Sequence, residues 1–258
     1  MSAADTRRGW LKGVAAGAAG LWLTACNKVN DDPRVQATLQ SAEGLTRRAH
    51  RLLISRKALA QEFTEADIAR DFRANGSISP SDDEYRALLE AGFKDYRLVV
   101  DGLVDKPLSL TLAEIRGLTS RTQITRHDCV EGWSSIGKWK GARLGPLLDM
   151  AGLKDTARYI VFHCADSLEM TLDGSGQYYE SIDLIDAYHP QTILAYEMNG
   201  KVLPVAHGAP LRLRVERQLG YKHAKYVMRI EAVSDFAQIG RGKGGYWEDR
   251  GYEWYAGI

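Results

Sequence analysis

The sequence predicts an α+β fold of mainly antiparallel and mixed β-sheet, with short helices between the strands. Three observations carry this. Short runs rich in Val, Ile, Leu and Tyr recur from residue 96 onward, each bounded by Gly, Asn, Asp or Pro. Two brief segments carry helix-start and helix-stop chemistry rather than strand alternation. Asn199-Gly200 stands between two apolar runs, which is the pair a type I′ hairpin turn requires. No internal repeat or low-complexity tract is present. The 258 residues are 45% hydrophobic and 26% charged, a globular composition, and a net charge of +1 gives no reason to expect nucleic acid as a partner.

Taken in order, residues 1–26 read as a segment outside the globule. Arg7 and Arg8 precede the uncharged stretch Gly13–Ala25, which is too short to span a bilayer comfortably. "TRRGWLK" resembles a twin-arginine export signal, and "LTAC" at 23–26 resembles a bacterial lipobox with Cys26 as the lipidated residue. Residues 27–64 read as a polar tether followed by an amphipathic helix from Leu45 to Glu62, whose Arg47, Arg48 and Arg51 form a solvated face. The main domain is expected over 65–258. "RANGSISPSDDE" (73–84) is loop chemistry. "YRLVVDGLV" (96–104) reads as a strand and turn. Thr111 with Glu114 three residues on is a capping box that starts a short helix.

"RTQITRHDCV" (121–130) reads as a strand that delivers Cys129 at its end. "GARLGPLLDMAGL" (141–153) is a short helix closed by Gly152, and "RYIVFHCAD" (158–166) is a strong strand. "APLRLRVERQL" (209–219) and "YVMRIEAV" (226–233) supply two more. The tail "GGYWEDRGYEWYAGI" (244–258) holds too many aromatic rings for a disordered end, so it is expected to pack across the domain, most of its rings in the core.

With Cys26 assigned to the leader, Cys129 and Cys164 remain, each beside a histidine: His127-Asp128-Cys129 and His163-Cys164. A disulfide, a zinc site and a lone metal-binding thiolate are all open at this point. Adjacent side chains on a strand point to opposite faces, which weighs against zinc.

The stretches "TRHDCVEGWSSIGKWKGARLGPLLDMAGL" and "YYESIDLIDAYHPQTILAYEMNGKVLPVAHGAPLRLRVERQLGYKHAKYVMRIE" resemble the molybdopterin-binding domain of the sulfite oxidase family. The resemblance covers roughly residues 70–240 and implies that family's fold and a molybdenum-molybdopterin cofactor. It implies that Cys129 ligates the metal and that Asn75 holds the pterin. It places Cys164 near the cofactor, His207 and Arg212 on pterin or phosphate, and His223, Ala224 and Lys225 in a phosphate-clamping stretch. A guanidinium fork suits phosphate, which independently favours Arg212.

Glu131 lies two residues beyond Cys129, so on an extended backbone both would point the same way. "Cys-Val-Glu" resembles the haem-free periplasmic reductase branch, in which the acid lies close to the metal and can carry protons. Trp133 and Trp139 are expected to wall the site. The sulfite enzymes follow their cysteine with a basic cluster, which "CVEGWSS" lacks, so sulfite is not the expected substrate; nor is their C-terminal dimerisation domain expected within 65–258. The resemblance therefore implies a periplasmic oxidoreductase, lipid-anchored, that moves an oxygen atom on a small substrate such as an S- or N-oxide. Electrons would come from a membrane cytochrome, because no haem-attachment motif is present. The rival expectation is a lipid-anchored binding or scaffold protein of the same fold without a working metal.

Overall fold

The computed structural model describes residues 33–171 and 174–258, which divide after Leu53 into two units, 33–53 and the second from Ile54 to Ile258. The expected leader and Cys26 lie outside the described residues. In the first unit, Pro33–Leu53 is a single helix, α1. It corrects the sequence reading at both ends, since it starts inside the expected tether and stops well before Glu62. Proline is favourable at a first helical position, where its missing N–H costs nothing, and His50 and Arg51 in the last turn complement the helix dipole. Among the described residues no helix is long and apolar enough to cross a membrane.

The second unit begins at Ile54, ahead of the expected residue 65, because residues 58–63 pair with the sheet. Phe63 N donates to Ile124 O (2.9 Å), and Gln191 bonds Ala60 through both its amide nitrogen and its carbonyl oxygen. The chain then runs through α2 (Asp83–Glu90), β1 (Arg97–Gly102), β2 (Leu108–Thr111), α3 (Leu112–Gly117), β3 (Ser120–Asp128) and β4 (Ser134–Arg143). It continues through α4 (Leu144–Ala151), β5 (Tyr159–Ser167), β6 (Gln177–Asp183), α5 (Leu184–Ala187), β7 (Ile193–Met198), β8 (Lys201–Val202), β9 (Arg212–Arg214) and β10 (Val227–Val233).

Local chemistry places several of these. Thr111 and Glu114 form the reciprocal capping box that starts α3. Gly152 closes α4 in the left-handed conformation. Asn199 and Gly200 both take positive φ, 50° and 75°, as a type I′ turn demands, and join β7 to β8.

Two five-stranded sheets result. One has the order β2-β1-β10-β5-β6; the other runs β3-β4-β7-β8, with β9 on β7. Only β1 and β10 are parallel, so the α+β, mainly antiparallel expectation describes the fold. At Gly141, where the β4–β7 register shifts, an added Cβ would fall 2.2 Å from Leu194 O, so only glycine allows the strands to close.

The main core lies around Leu98, Val100, Ile160, Phe162, Leu213 and Ile230. A second cluster around Trp139 and Phe72 carries a buried charge. Arg214, fully buried, lies 4.4 Å from the Trp139 ring and forks onto Glu216, with Nε to Oε1 at 2.9 Å and Nη2 to Oε2 at 2.6 Å. Gln123 Nε2 supplies a further bond to Glu216 Oε1 (2.8 Å). Removing Arg214 strands a buried carboxylate. Arg214→Ala is expected to lose about 3–5 kcal/mol of unfolding free energy, and Arg214→Met with Glu216→Leu markedly less, both measurable by urea denaturation.

Candidate active site

β3 and β4 are paired from Ser120–Ala142 to Asp128–Ser134, and the turn between them carries Cys129. Cys129 N donates to Trp133 O (2.9 Å) and Gly132 N to Cys129 O (3.0 Å), with Gly132 at φ 86°. This corrects the extended geometry expected for Cys-Val-Glu. Glu131 sits near Cys129 because a tight turn brings it there, not because strand alternation does. Its Oε2 accepts from Trp133 Nε1 (3.0 Å) and lies 4.0 Å from Arg73, while Arg126 pairs with Asp128.

A cavity of about 200 Å³ opens beside the thiol, and its lining brings together Asn75, Cys129, Glu131, Arg212, His223 and Lys225. Asn75 Nδ2 donates to Cys129 Sγ at 3.1 Å. Burial raises the Cys129 thiol above its ordinary value, while Arg73 and the Asn75 amide favour the thiolate. Lys225 holds the asparagine loop. Its Nζ donates to Asn75 O (2.7 Å), to Ser77 O and to Ala206 O (3.2 Å).

Arg212 and Arg214, two apart on β9, share the Trp139 face; Arg212 lies 5.2 Å from that ring. Arg214 has its carboxylate. Arg212 donates only to His207 O (3.3 Å), and its Nε has no partner among the described residues. Burial and the Arg214 charge push Arg212 down to about 9. Lys225 is pushed down to about 7 by burial and Arg212.

The remaining expected residues stand elsewhere. The Cys164 thiol belongs to the main core and is raised well above the ordinary thiol value by burial; its Sγ faces Phe162 O, not the cavity. Ala224 is likewise a core residue, and its carbonyl accepts from Leu213 N (2.8 Å). His207 packs edge-on against Phe72 outside the lining, so it reaches the site only through its carbonyl on Arg212. Trp139 is a floor beneath the arginines, and Trp133 braces Glu131; neither ring lines the cavity.

Both described cysteines are free, so the disulfide reading fails here. No group of three or more His, Cys, Asp or Glu side chains among the described residues can hold a metal ion, and His163 turns instead to Glu231 (2.8 Å).

Several lining residues escaped the sequence reading. His127 was weighed only as a zinc ligand. Arg214 Nη1 donates to its Nδ1 (3.0 Å), and burial holds the ring far below the ordinary histidine value, so the neutral ring carries its proton on Nε2. That nitrogen faces Gly220, where a Cβ would stand 2.5 Å away. Asp166, 3% exposed, lines the cavity with Oδ1 unpartnered among the described residues; desolvation pushes it up to about 7. Its only sequence signal is an acid at the end of a strongly apolar strand. Of the tail's rings, Tyr246 is in the main core and Trp247 packs against it, while Trp247 and Tyr252 also line the cavity with Tyr178 and Tyr221.

The residues fit an anionic group bearing a soft metal. The cavity offers one thiol, an amide holding it, and two buried cations, Arg212 and Lys225, with an unpartnered guanidinium nitrogen on Arg212. Residues 87–239 match the oxidoreductase molybdopterin binding domain family. The chain belongs to that family.

It is 37% identical over 235 residues to a protein of Azospira oryzae provisionally named protein-methionine-sulfoxide reductase subunit YedZ1, covering 91% of this chain and 81% of that one. It is 38% identical over 140 residues to the protein-methionine-sulfoxide reductase catalytic subunit MsrP of Xanthomonas axonopodis pv. citri, covering 52% of this chain and 44% of that protein. The chain thus spans less than half of that second relative. The sulfane dehydrogenase SoxCD of Paracoccus pantotrophus, a solved structure, is 24% identical with a TM-score of 0.48 over 55% of this chain and 39% of its own. The chain is accordingly an oxidoreductase of the molybdopterin class.

Asp166 gives a pH signature. Its folded value is raised, so between the ordinary carboxyl range and about 7 the folded state binds the extra proton, and its contribution to stability falls as pH rises. Lys225 is lowered, so its contribution rises above about pH 7. The depressed histidines, His127 among them, act in the opposite sense below about pH 6.5, so the Asp166 contribution is read as a difference: in urea unfolding of cofactor-free protein, the stability of the parent relative to Asp166→Asn is expected to fall from pH 5 to pH 7.

Proposed function

We propose that this chain is a sulfoxide reductase whose molybdenum is held by Cys129, acting on methionine sulfoxide or a similar small sulfoxide. The observation that carries the reading is the single thiol, bonded by Asn75, in a cavity whose lining also holds the buried Arg212 and Lys225. The names of the relatives support the sulfoxide. So does the turn after Cys129, where Val130, Glu131 and Gly132 offer no cation to hold sulfite.

When bound, the cofactor supplies two-electron oxygen-atom transfer. The chain's own residues do the rest. Cys129 Sγ would ligate the metal, and Asn75 Nδ2 fixes the sulfur's direction. Arg212 and His223 would hold the pterin and its phosphate, with the Arg212 fork matched to a phosphate oxygen pair, while Lys225 adds its charge nearby and ties the Asn75 loop. Reduction of a sulfoxide to a thioether takes up two electrons and two protons and releases one water. Asp166 can hold one proton inside the cavity near neutral pH, and the half-exposed Glu131 can carry another in from solvent. The electrons come from a separate donor, and a membrane cytochrome fits a chain with no haem-attachment motif. We further infer export by the Arg7-Arg8 signal to the periplasm and anchoring through Cys26.

Protein purified from a host that makes molybdopterin is expected to carry near-stoichiometric molybdenum and to reduce methionine sulfoxide with a reduced viologen donor. Cys129→Ser should fold, lose the metal and drop to background; a metal content unchanged by that substitution sinks the reading. Glu131→Gln should keep the molybdenum and lower kcat by about 10²-fold, read from steady-state rates.

A further inference from the structure

We propose that the segment beyond the matched family domain is this enzyme's specificity wall. Trp247 and Tyr252 would select a neutral sulfoxide with an extended apolar flank, such as a methionine sulfoxide side chain within a peptide, over minimal dialkyl sulfoxides and over oxyanions. The proposal rests on the sulfoxide-reductase reading. The family match ends at residue 239, yet Trp247 and Tyr252 line the same cavity as Cys129.

The two rings are stacked, with centroids 5.1 Å apart at 29°. Tyr221 meets Tyr252 edge-on at 5.3 Å, and Tyr246 meets Trp247 edge-on at 5.2 Å. Tyr252 N donates to Trp247 O (3.0 Å), which closes the turn that pairs them.

This wall is anchored. Lys222 Nζ, buried, reaches Glu180 Oε1 on β6 and Glu248 Oε1 beside Trp247, both at 2.5 Å. Tyr246 N donates to Tyr179 O (3.0 Å), and Asp249 accepts from Tyr179 Oη (2.7 Å) and from Arg241 N (2.9 Å). Arg250 lies 3.6 Å from the Tyr246 ring and pairs with Glu169 (2.8 Å). A face held this way is preorganised, so a substrate that meets it spends little on ordering it.

The chemistry of the wall follows from its depth. The inner lining, with Cys129, Arg212, His223 and Lys225 all buried, is the part suited to the cofactor. The outer lining is Tyr252 at 38% exposure, Val130 at 47%, and the partly buried Trp247, Tyr221 and Leu168. Its charged member is the half-exposed Glu131, which repels an anion. Aromatic rings favour sulfur and aliphatic carbon.

The test compares holoenzyme carrying Trp247→Ala, Trp247→Phe or Tyr252→Ala with the parent. The substrates are N-acetyl-methionine sulfoxide methylamide and dimethyl sulfoxide, each assayed for turnover and titrated by calorimetry. The parent should prefer the peptide-like sulfoxide. Trp247→Ala should cut the ratio of kcat/KM values by about tenfold, mostly through KM, and Trp247→Phe should restore most of it.

A parent with no preference, a ratio untouched by Trp247→Ala, or molybdenum lost from that variant would overturn the wall, the last by making the ring a cofactor contact. If the loaded parent turns over neither sulfoxide but calorimetry still shows a Trp247-dependent preference, the wall stands and the reductase reading falls.

Discussion

A guanidinium with no access to water organises this molecule. Arg214 must find every partner inside the protein, and it does so by drawing together β3 through Thr125 and His127, β4 through the Trp139 ring, and Glu216 just beyond its own strand. Desolvating such a charge costs several kcal/mol unless the geometry is complete. Strand alternation then places Arg212, two residues earlier, on the same face and over the same indole. One arginine is matched by a carboxylate and the other is not. The unmatched charge is the cavity's resource: Glu216, the acid just beyond the strand, is already forked onto Arg214.

The opposite wall depends on Lys225 in a comparable way. An ammonium that spends its hydrogens on the carbonyls of Asn75, Ser77 and Ala206 acts less as a free phosphate ligand than as a tie for the asparagine loop. Tyr226 Oη adds a second tie to Ser77 O (2.9 Å). Asn75 meets the Cys129 sulfur because the following strand region, far along the chain, holds its loop in place. The three functional segments around residues 75, 129 and 225 therefore form one mechanical unit.

What was legible in the sequence divides by range. Capping at Thr111, the left-handed Gly152, the Asn199-Gly200 turn and the delivery of Cys129 at the end of β3 are set by residues within a few positions of one another, and they were readable. The turn at Glu131 was not, because Cys129-Val130-Glu131 carries no turn residue until Gly132 and so reads equally as a continuation of the strand. The start of α1 was missed because a helix beginning at Pro33 carries no acidic residue in its first turn. Asp166, His127 and the Arg214–Glu216 pair acquire meaning only when strands distant in sequence are brought together. The same holds for Cys164, whose neighbour on a strand buried on both faces gives alternation nothing to distinguish.

Trp247 and Tyr252 follow every other lining residue in chain order. A ribosome therefore delivers one side of the cavity last, after the thiol, the arginines and the asparagine loop have all been made. The Lys222–Glu248 contact ties that side to residues made earlier, so a chain cut short before Glu248 would lack both rings and the buried carboxylate that anchors them.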